Sequence, residues 1–273
     1  MLVSAVLTLQ PTQPSTIPAD QGRATHGLFL NWVRQADPGL AQELHDIEGV
    51  KPFTVSGLHG AGRAVKGEVS LDPQRPLWWR VTTLSPRLSQ VVLEQVLPAL
   101  PDQLTLADQP FQVVGATADE AEHPWAGQTS CENLAQEHLL GAADPPPWLN
   151  LEFFTPTTFR SQGKHLPFPL PGLVFDHWLS KWNKFAPLSL HPDVKRFAEE
   201  CLAVSRYQLR SQVVRFGPAT FIGFVGRCSF RALNRDPYWL RLLHTLAAYS
   251  FYCGTGHKTT MGLGQTKVIS PKS

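Results

Sequence analysis

Cysteine is scarce in this chain. Four of 273 residues are Cys, at positions 131, 201, 228 and 253, and no two stand at CxxC spacing. That argues against a structural zinc site and against a disulfide framework, and leaves buried or incidental thiols. Long apolar runs are missing too. Nothing approaches the ~20 consecutive apolar residues that a membrane-spanning helix needs, so no membrane partner is expected. The apolar stretch Met1–Gln10 has neither a basic leading region nor a small-residue cleavage site. It reads as a first strand rather than a secretory signal, which makes the cytoplasm the expected compartment. What is present is ample core material: 42% of residues are hydrophobic and 10% aromatic, too many for a disordered chain.

The overall charge of +2 conceals an asymmetry. Residues 1–147 carry 8 Lys and Arg against 16 Asp and Glu, a net of −8. Residues 148–273 carry 16 against 6, a net of +10. A sign difference of this size points to a polyanionic partner for the second half. The competing reading is that each half simply solvates itself with its own charge.

The periodicities define an order of elements. Leu2–Leu9 reads as a strand. Gly22–Arg34 is a helix with Leu28, Trp32 and Val33 on one face. Asp37-Pro38 starts a second helix, with Asp as N-cap and Pro at the first helical position, and Gly49 stops it. Strands follow at Pro52–Leu58 and Leu77–Leu84. A helix from Pro86 places Leu88, Val91, Val92 and Val96 at helical spacing, and Phe111–Ala116 closes the unit. The order is β-α-β-β-α-β with a broken first helix, the ferredoxin-like plan. Residues 118–147, acidic, rich in Gly and Ala and ending in three prolines, are expected as a linker.

Residues 148–273 repeat the plan. Trp148–Phe154 is a strand and Phe159–Pro171 a proline-rich excursion. Helices are expected at Leu173–Lys184 and Pro192–Val204. Trp178 and Trp182 lie four apart on the first of these and belong to a core. Tyr207–Phe216 and Thr220–Phe230 form a hairpin joined near Gly217-Pro218. A helix runs from Asp236 to Tyr252, and Leu263–Ile269 closes the sheet. The expected architecture is α+β, two tandem ferredoxin-like (RRM-like) domains at 1–117 and 148–273.

The segment from Gly254 to Gly264 is the most unusual in the chain. Gly254, Gly256, Gly262 and Gly264 flank His257 and Lys258 in a G-x-G-x5-G-x-G pattern. Glycine backbones can approach phosphate closely, and the two cationic or donor side chains add to that. A helix cap followed by a tight turn is the plainer reading. The segment follows a helix and enters a strand. Walker A and dinucleotide fingerprints both have the opposite order. A two-histidine phosphoesterase would need a second His-x-Ser or His-x-Thr, and the chain has none.

With these residues in place, the glycine segment resembles the C-terminal loop of the repeat-associated RNA-binding superfamily. Within it, the chain resembles the CRISPR-associated endoribonucleases that cut repeat RNA into guide RNAs. Asp37-Pro38-Gly39-Leu40-Ala41-Gln42-Glu43-Leu44-His45-Asp46 followed by Gly49-Val50-Lys51-Pro52-Phe53-Thr54 is similar to that family's active-site region. Thr157–Asn183, with Phe159-Arg160-Ser161, is similar to subgroups of it. The resemblance implies a metal-independent enzyme with no cofactor, in which the RNA's own 2′-OH attacks the adjacent phosphate. The products would be a 2′,3′-cyclic phosphate and a 5′-hydroxyl. The implied partners are CRISPR precursor RNA repeat hairpins, mature guide RNA and, where the protein stays on its product, other subunits of an effector complex. His45 matches the family's catalytic histidine and Lys51 its lysine. Some members carry a tyrosine where this chain has Leu30, and His26, one turn earlier with Arg23 behind it, is the substitute.

The chemistry suits those residue types. Histidine exchanges protons near working pH and serves as acid or base. A helix C-terminus, where His45 is expected, favours a cation. Lys51 can offset developing phosphate charge. The expected roles are His45 as acid, His26 or a substrate-held water as base and Lys51 as charge stabiliser. RNA binding is expected from Arg160, Lys164, His165, Gly254, Gly256, His257, Lys258, Gly262 and Gly264. Arg206, Arg210, Arg215, Arg227 and Arg231 on the hairpin could add to it. The alternative is a non-catalytic RNA-binding subunit, suggested by Leu30. A small-molecule enzyme on the same scaffold is a third reading, since fold alone does not fix function.

Overall fold

The computed structural model describes residues 1–217 and 219–270. Pro218, half of the expected hairpin joint, lies outside the described residues, as do the last three. Contacts divide the chain into two units. One is Met1–Gln128 with Thr260–Gly262; the other is Thr129–Thr259 with Leu263 onward.

In the first unit the order is β1 (Leu2–Pro11), β2 (Ser15–Pro18), α1 (Gly22–Ala36), α2 (Pro38–Asp46), β3 (Phe53–Val55), β4 (Glu68–Leu71), β5 (Leu77–Thr83) and α3 (Pro86–Val91). A π-turn at Val92–Val96 extends α3, and β6 (Gln103–Leu106), β7 (Gln109–Thr117) and β8 (Gly127–Thr129) follow. The main sheet runs β3-β5-β1-β7-β6. Its first four strands have the 2-3-1-4 order of a ferredoxin-like sheet, and their ladders are antiparallel. Three expectations needed extension. The pair β2–β4 and the hairpin strand β6 are too short and polar to stand out by periodicity. The π-turn continues a helix whose apolar stripe already ran to Val96.

The core lies where the stripe of α1 meets β1 and β5. Phe29, Val33, Phe53, Trp79 and Phe111 are at most 1% exposed. Trp32 and Trp79 pack with ring centroids 5.2 Å apart. Asp37 ends α1 and caps α2, its Oδ1 accepting from the Leu40 amide at 2.9 Å. This fixes the break between the two helices, and Pro38 holds the first helical position.

Residues 118–147 are not an open linker. Trp125 and Ala126 are buried, and the Trp125 carbonyl accepts from Ser4 Oγ at 2.5 Å and from Arg80 Nε at 3.0 Å. The Arg80 guanidinium lies 4.9 Å from the Trp125 ring centroid, so a buried charge has both hydrogen bonds and a π-face. Further on, α4 (Cys131–Leu139) is capped by Ser130, whose hydroxyl accepts from the Asn133 amide. Cys131, Leu134 and Ala135 form a three-residue stripe that packs on the last long helix. One tryptophan and so short a stripe were masked by the acidic composition around them.

The second unit continues with β9 (Trp148–Thr157), β10 (Phe159–Ser161), β11 (Lys164–Leu166), α5 (Pro171–Phe185), α6 (Val194–Cys201), β12 (Leu202–Phe216), β13 (Ala219–Ala232), α7 (Pro237–Cys253) and β14 (Thr266–Val268). The sheet order β12-β13-β9-β14 is again 2-3-1-4 and antiparallel. The helix expected to reach Val204 stops at Cys201, and β12 takes over from Leu202, because Leu202–Val204 pair with Phe230–Ala232 across the hairpin. The proline-rich excursion holds a small hairpin of its own, β10–β11. Trp178 and Trp182 are fully buried, core residues as their spacing indicated.

Candidate functional site

Within the first unit, α1 presents His26 and the end of α2 presents His45. His26 is half-buried, and its Nδ1 lies 2.9 Å from the Thr260 carbonyl oxygen. A carbonyl only accepts, so Nδ1 carries the proton in that bond. Burial, and next the nearby Lys51 charge, oppose protonation, against the pull of the Thr260 carbonyl, and the ring's pKa falls below its ordinary value. A neutral ring with Nδ1 protonated leaves the Nε2 lone pair as acceptor, the state a general base needs. The ring also packs against Phe53, centroid to centroid 5.5 Å.

His45 is exposed on the last turn of α2. Lys51 reaches back to that same turn, its Nζ donating to the carbonyls of Leu44 and His45 at 2.5 and 3.0 Å. These carbonyls have no partner within the helix, so the ammonium caps α2 and fixes where His45 sits. Lys51 therefore acts on both histidines, electrostatically on His26 and through the backbone of His45. Leu30 is half-buried and packs against the hydrophobic core.

Thr260–Gly262 belongs to this unit through backbone contacts. The Gly262 amide donates to the Val55 carbonyl at 3.1 Å. A Cβ on Gly22, the first residue of α1, would stand 2.0 Å from the Met261 carbonyl oxygen. Neither Thr260 nor Gly22 was singled out from the sequence. The glycine that opens the helix was the available signal, but nothing local tells a close approach from a plain helix start.

In the second unit the structure gathers several of the expected cationic residues. The β10–β11 hairpin turns at Gln162 and Gly163, both at positive φ, and sets Arg160 opposite His165 and Ser161 opposite Lys164. The His165 ring stacks on Phe221 at 4.3 Å and 2°, and His257 lies 5.6 Å from His165. Lys258 Nζ sits 3.9 Å from the centre of the Phe216 ring. Burial, and then the charges of Lys258, His165 and Arg160, push His257 down to about 4. His165 is lowered by burial and by Arg160 and Lys258. The charges of Arg160 and Lys258 oppose protonation of both imidazoles beside them, and an anion among them would relieve that opposition. Phe216 and Phe221, nearly buried, were not anticipated as that floor.

Three of the four glycine amides are engaged within the protein. The amides of Gly254, Gly262 and Gly264 already donate to the carbonyls of Ser250, Val55 and Pro156. Gly254, Gly256, Gly262 and Gly264 all have φ between 64 and 90°. A Cβ on Gly256 would meet the Thr158 carbonyl oxygen at 2.4 Å, and one on Gly264 the Thr255 oxygen at 2.0 Å. The glycines permit tight backbone packing. Of the hairpin arginines, Arg227 is bonded to Glu152 at 3.3 Å. Arg206, Arg210, Arg215 and Arg231 are exposed.

Comparison with known proteins places the chain in a class and then in a family. Paired ferredoxin-like units with a basic, glycine-looped second unit define a nucleic-acid-binding type of architecture. The N-terminal domain of CRISPR Cas6 matches residues 1–136, and the CRISPR-associated endoribonuclease Cas6 family matches residues 151–266. A Thermus thermophilus Cas6, solved as a product complex, is 31% identical, with a TM-score of 0.81 over 98% of this chain and 100% of that one. A second Cas6 product complex is 28% identical, with a TM-score of 0.78 over 98% and 99%. The chain belongs to the Cas6 family. Curated Cas6 endoribonucleases from Streptococcus thermophilus and Mycobacterium tuberculosis are 26% and 28% identical over 49% and 43% of this chain. Those matches span only 56% and 38% of the relatives' own length.

Proposed function

We propose that this protein is an endoribonuclease that binds CRISPR repeat RNA and cuts the precursor transcript into guide RNA. The observation that carries the reading is the hydrogen bond between His26 Nδ1 and the Thr260 carbonyl, 2.9 Å long. The carbonyl accepts from Nδ1, burial lowers the ring's pKa, and Nε2 is left as an acceptor. In the reaction, the 2′-hydroxyl loses its proton to His26 Nε2, and its oxygen forms a bond to the adjacent phosphorus. The bond from phosphorus to the 5′-oxygen breaks, and that oxygen takes a proton from His45. The products are a 2′,3′-cyclic phosphate and a 5′-hydroxyl. Lys51 offsets charge on the phosphorane and holds the turn that carries His45. Each proton-transfer group contributes about 10²–10⁴-fold. Arg160, Lys164, His165, His257 and Lys258 bind the RNA, and the protein stays on its product within a larger complex.

The test is a pair of substitutions. His45→Ala and His26→Ala are each expected to keep RNA affinity within a few-fold and to lower the cleavage rate by about 10²-fold or more. A His45→Ala protein that cuts at the wild-type rate removes the assignment. One observation favours a non-catalytic RNA-binding subunit instead: Leu30, half-buried against the core, stands where the resemblance implies a tyrosine in some members. Under that reading wild-type protein binds repeat RNA and never cuts it.

A further inference from the structure

Lys181 on α5 is 3% exposed, one of few buried charged side chains. Its Nζ donates to the carbonyl of Cys253, the last residue of α7, and to Thr259 Oγ1 at 2.9 Å. No carboxylate among the described residues pairs with it. One turn earlier on the same helix, Trp178 Nε1 donates to Thr255 Oγ1 at 2.9 Å. Thus α5 grips the turn from 253 to 259 at its start, middle and end, and the part left facing outward carries His257 and Lys258.

An ammonium buried without a counter-ion is costly. The C-terminal end of α7 provides partial compensation, because its unpaired carbonyls carry the negative end of the helix dipole. We propose that Lys181 is a positioning residue for RNA recognition, its ammonium pinning the 253–259 turn that carries His257 and Lys258. It acts through the turn and does not touch the RNA. The inference rests on the assignment of this unit as the RNA-binding one.

Burial lowers the Lys181 pKa to about 8. The ionisable groups facing it are His177 on its own helix and Cys253 on α7, with His257 of the turn acting on His177 in turn. Burial keeps both histidines neutral and the thiol protonated near pH 8, Cys253 being raised to about 12. Lys181 is then the group of this set that titrates between pH 7 and 9.5. The charged ammonium is what holds the turn, so RNA binding to the turn and protonation of Lys181 strengthen each other.

The experiment uses full-length protein and a labelled CRISPR repeat hairpin chosen from a panel by wild-type binding. Affinity is measured from pH 7 to 9.5 at constant salt for wild type, Lys181→Met and Thr259→Val. Wild-type affinity is expected to weaken about tenfold as pH passes through 8. Lys181→Met is expected to bind at pH 7 as weakly as wild type at pH 9.5, with a flat profile and a melting temperature no lower than wild type. A purely structural lysine gives the opposite pattern, a less stable protein with an unchanged profile. Thr259→Val, which removes one acceptor, is expected to weaken binding about threefold and decides the matter if Lys181→Met does not fold. Variants that bind like wild type with the wild-type pH profile overturn the role of Lys181 alone. Wild type that binds no hairpin overturns the RNA-binding assignment, and this inference with it.

Discussion

His26 and His45 have the same chemistry and opposite surroundings. One is half-buried, with a fixed tautomer; the other is exposed on a helix end whose position Lys51 sets. Surroundings that differ in this way suit a base and an acid working as a pair. Lys51→Ala should therefore do more damage than loss of one charge, lowering the cleavage rate by at least 10²-fold and fraying α2; circular dichroism and a rate assay on the same sample would separate the two effects. The buried histidines also set a pH limit on stability. Burial pushes His59 down to about 3 and His257 to about 4, against an unfolded value near 6.5. Below pH 6.5 the unfolded chain binds more protons than the native one. The stability from these groups is whole above pH 6.5 and drains away as pH falls toward 4 and then 3. Urea midpoints should drop over that window, and more shallowly for His59→Gln. An unchanged slope in that variant would contradict the assignment. At this scale His45 and Lys51 could be singled out because they lie in a segment resembling a known active-site region, and His26 only as the substitute for the tyrosine that Leu30 replaces. Thr260 and Lys181 were not, because a partner more than 70 residues away leaves no local signal.

At the scale of elements, the glycine segment holds the most positional information. Four glycines at positive φ fold it back on itself, and the cationic side chains emerge from what remains. Gly264→Ala should destabilise the protein by about 1–3 kcal/mol, since it strains φ and drives a Cβ into the Thr255 carbonyl. Gly163→Ala meets no atom within 4 Å and should cost only the strain of its φ. Denaturant melts of the two variants give the comparison directly. Asp37→Ala removes the cap of α2 and should cost about 1 kcal/mol. The helix breaks at Asp37-Pro38 and Gly49 could be read from the residues, since capping chemistry is local. The β10–β11 hairpin was missed because prolines flank it. The extension of β12 to Leu202 was missed because a hydrophobic helix face and a strand look alike over three residues.

For the whole molecule, two features were legible together: the repeated β-α-β-β-α-β order and the change of charge sign between halves. The sheet orders β3-β5-β1-β7 and β12-β13-β9-β14 bear out the first. The acidic stretch 118–147 misled because composition reports solvation, and a single buried tryptophan decided whether that segment was folded. The basic half leads to a salt prediction. If the three cations Arg160, Lys164 and Lys258 meet phosphates, the logarithm of affinity should fall with the logarithm of salt concentration at a slope of about −2 to −3. Substituting Lys258 should reduce that slope by about one, while a slope near zero would exclude phosphate contact as the basis of binding.

The most direct measurement is to mix the protein with labelled CRISPR repeat hairpins in excess EDTA and to identify the ends of whatever RNA results. A single cut leaving a 5′-hydroxyl and a 2′,3′-cyclic phosphate is the predicted result. Cleavage only after divalent metal is restored, or 3′-hydroxyl and 5′-phosphate ends, would contradict attack by the 2′-hydroxyl under the control of His26 and His45.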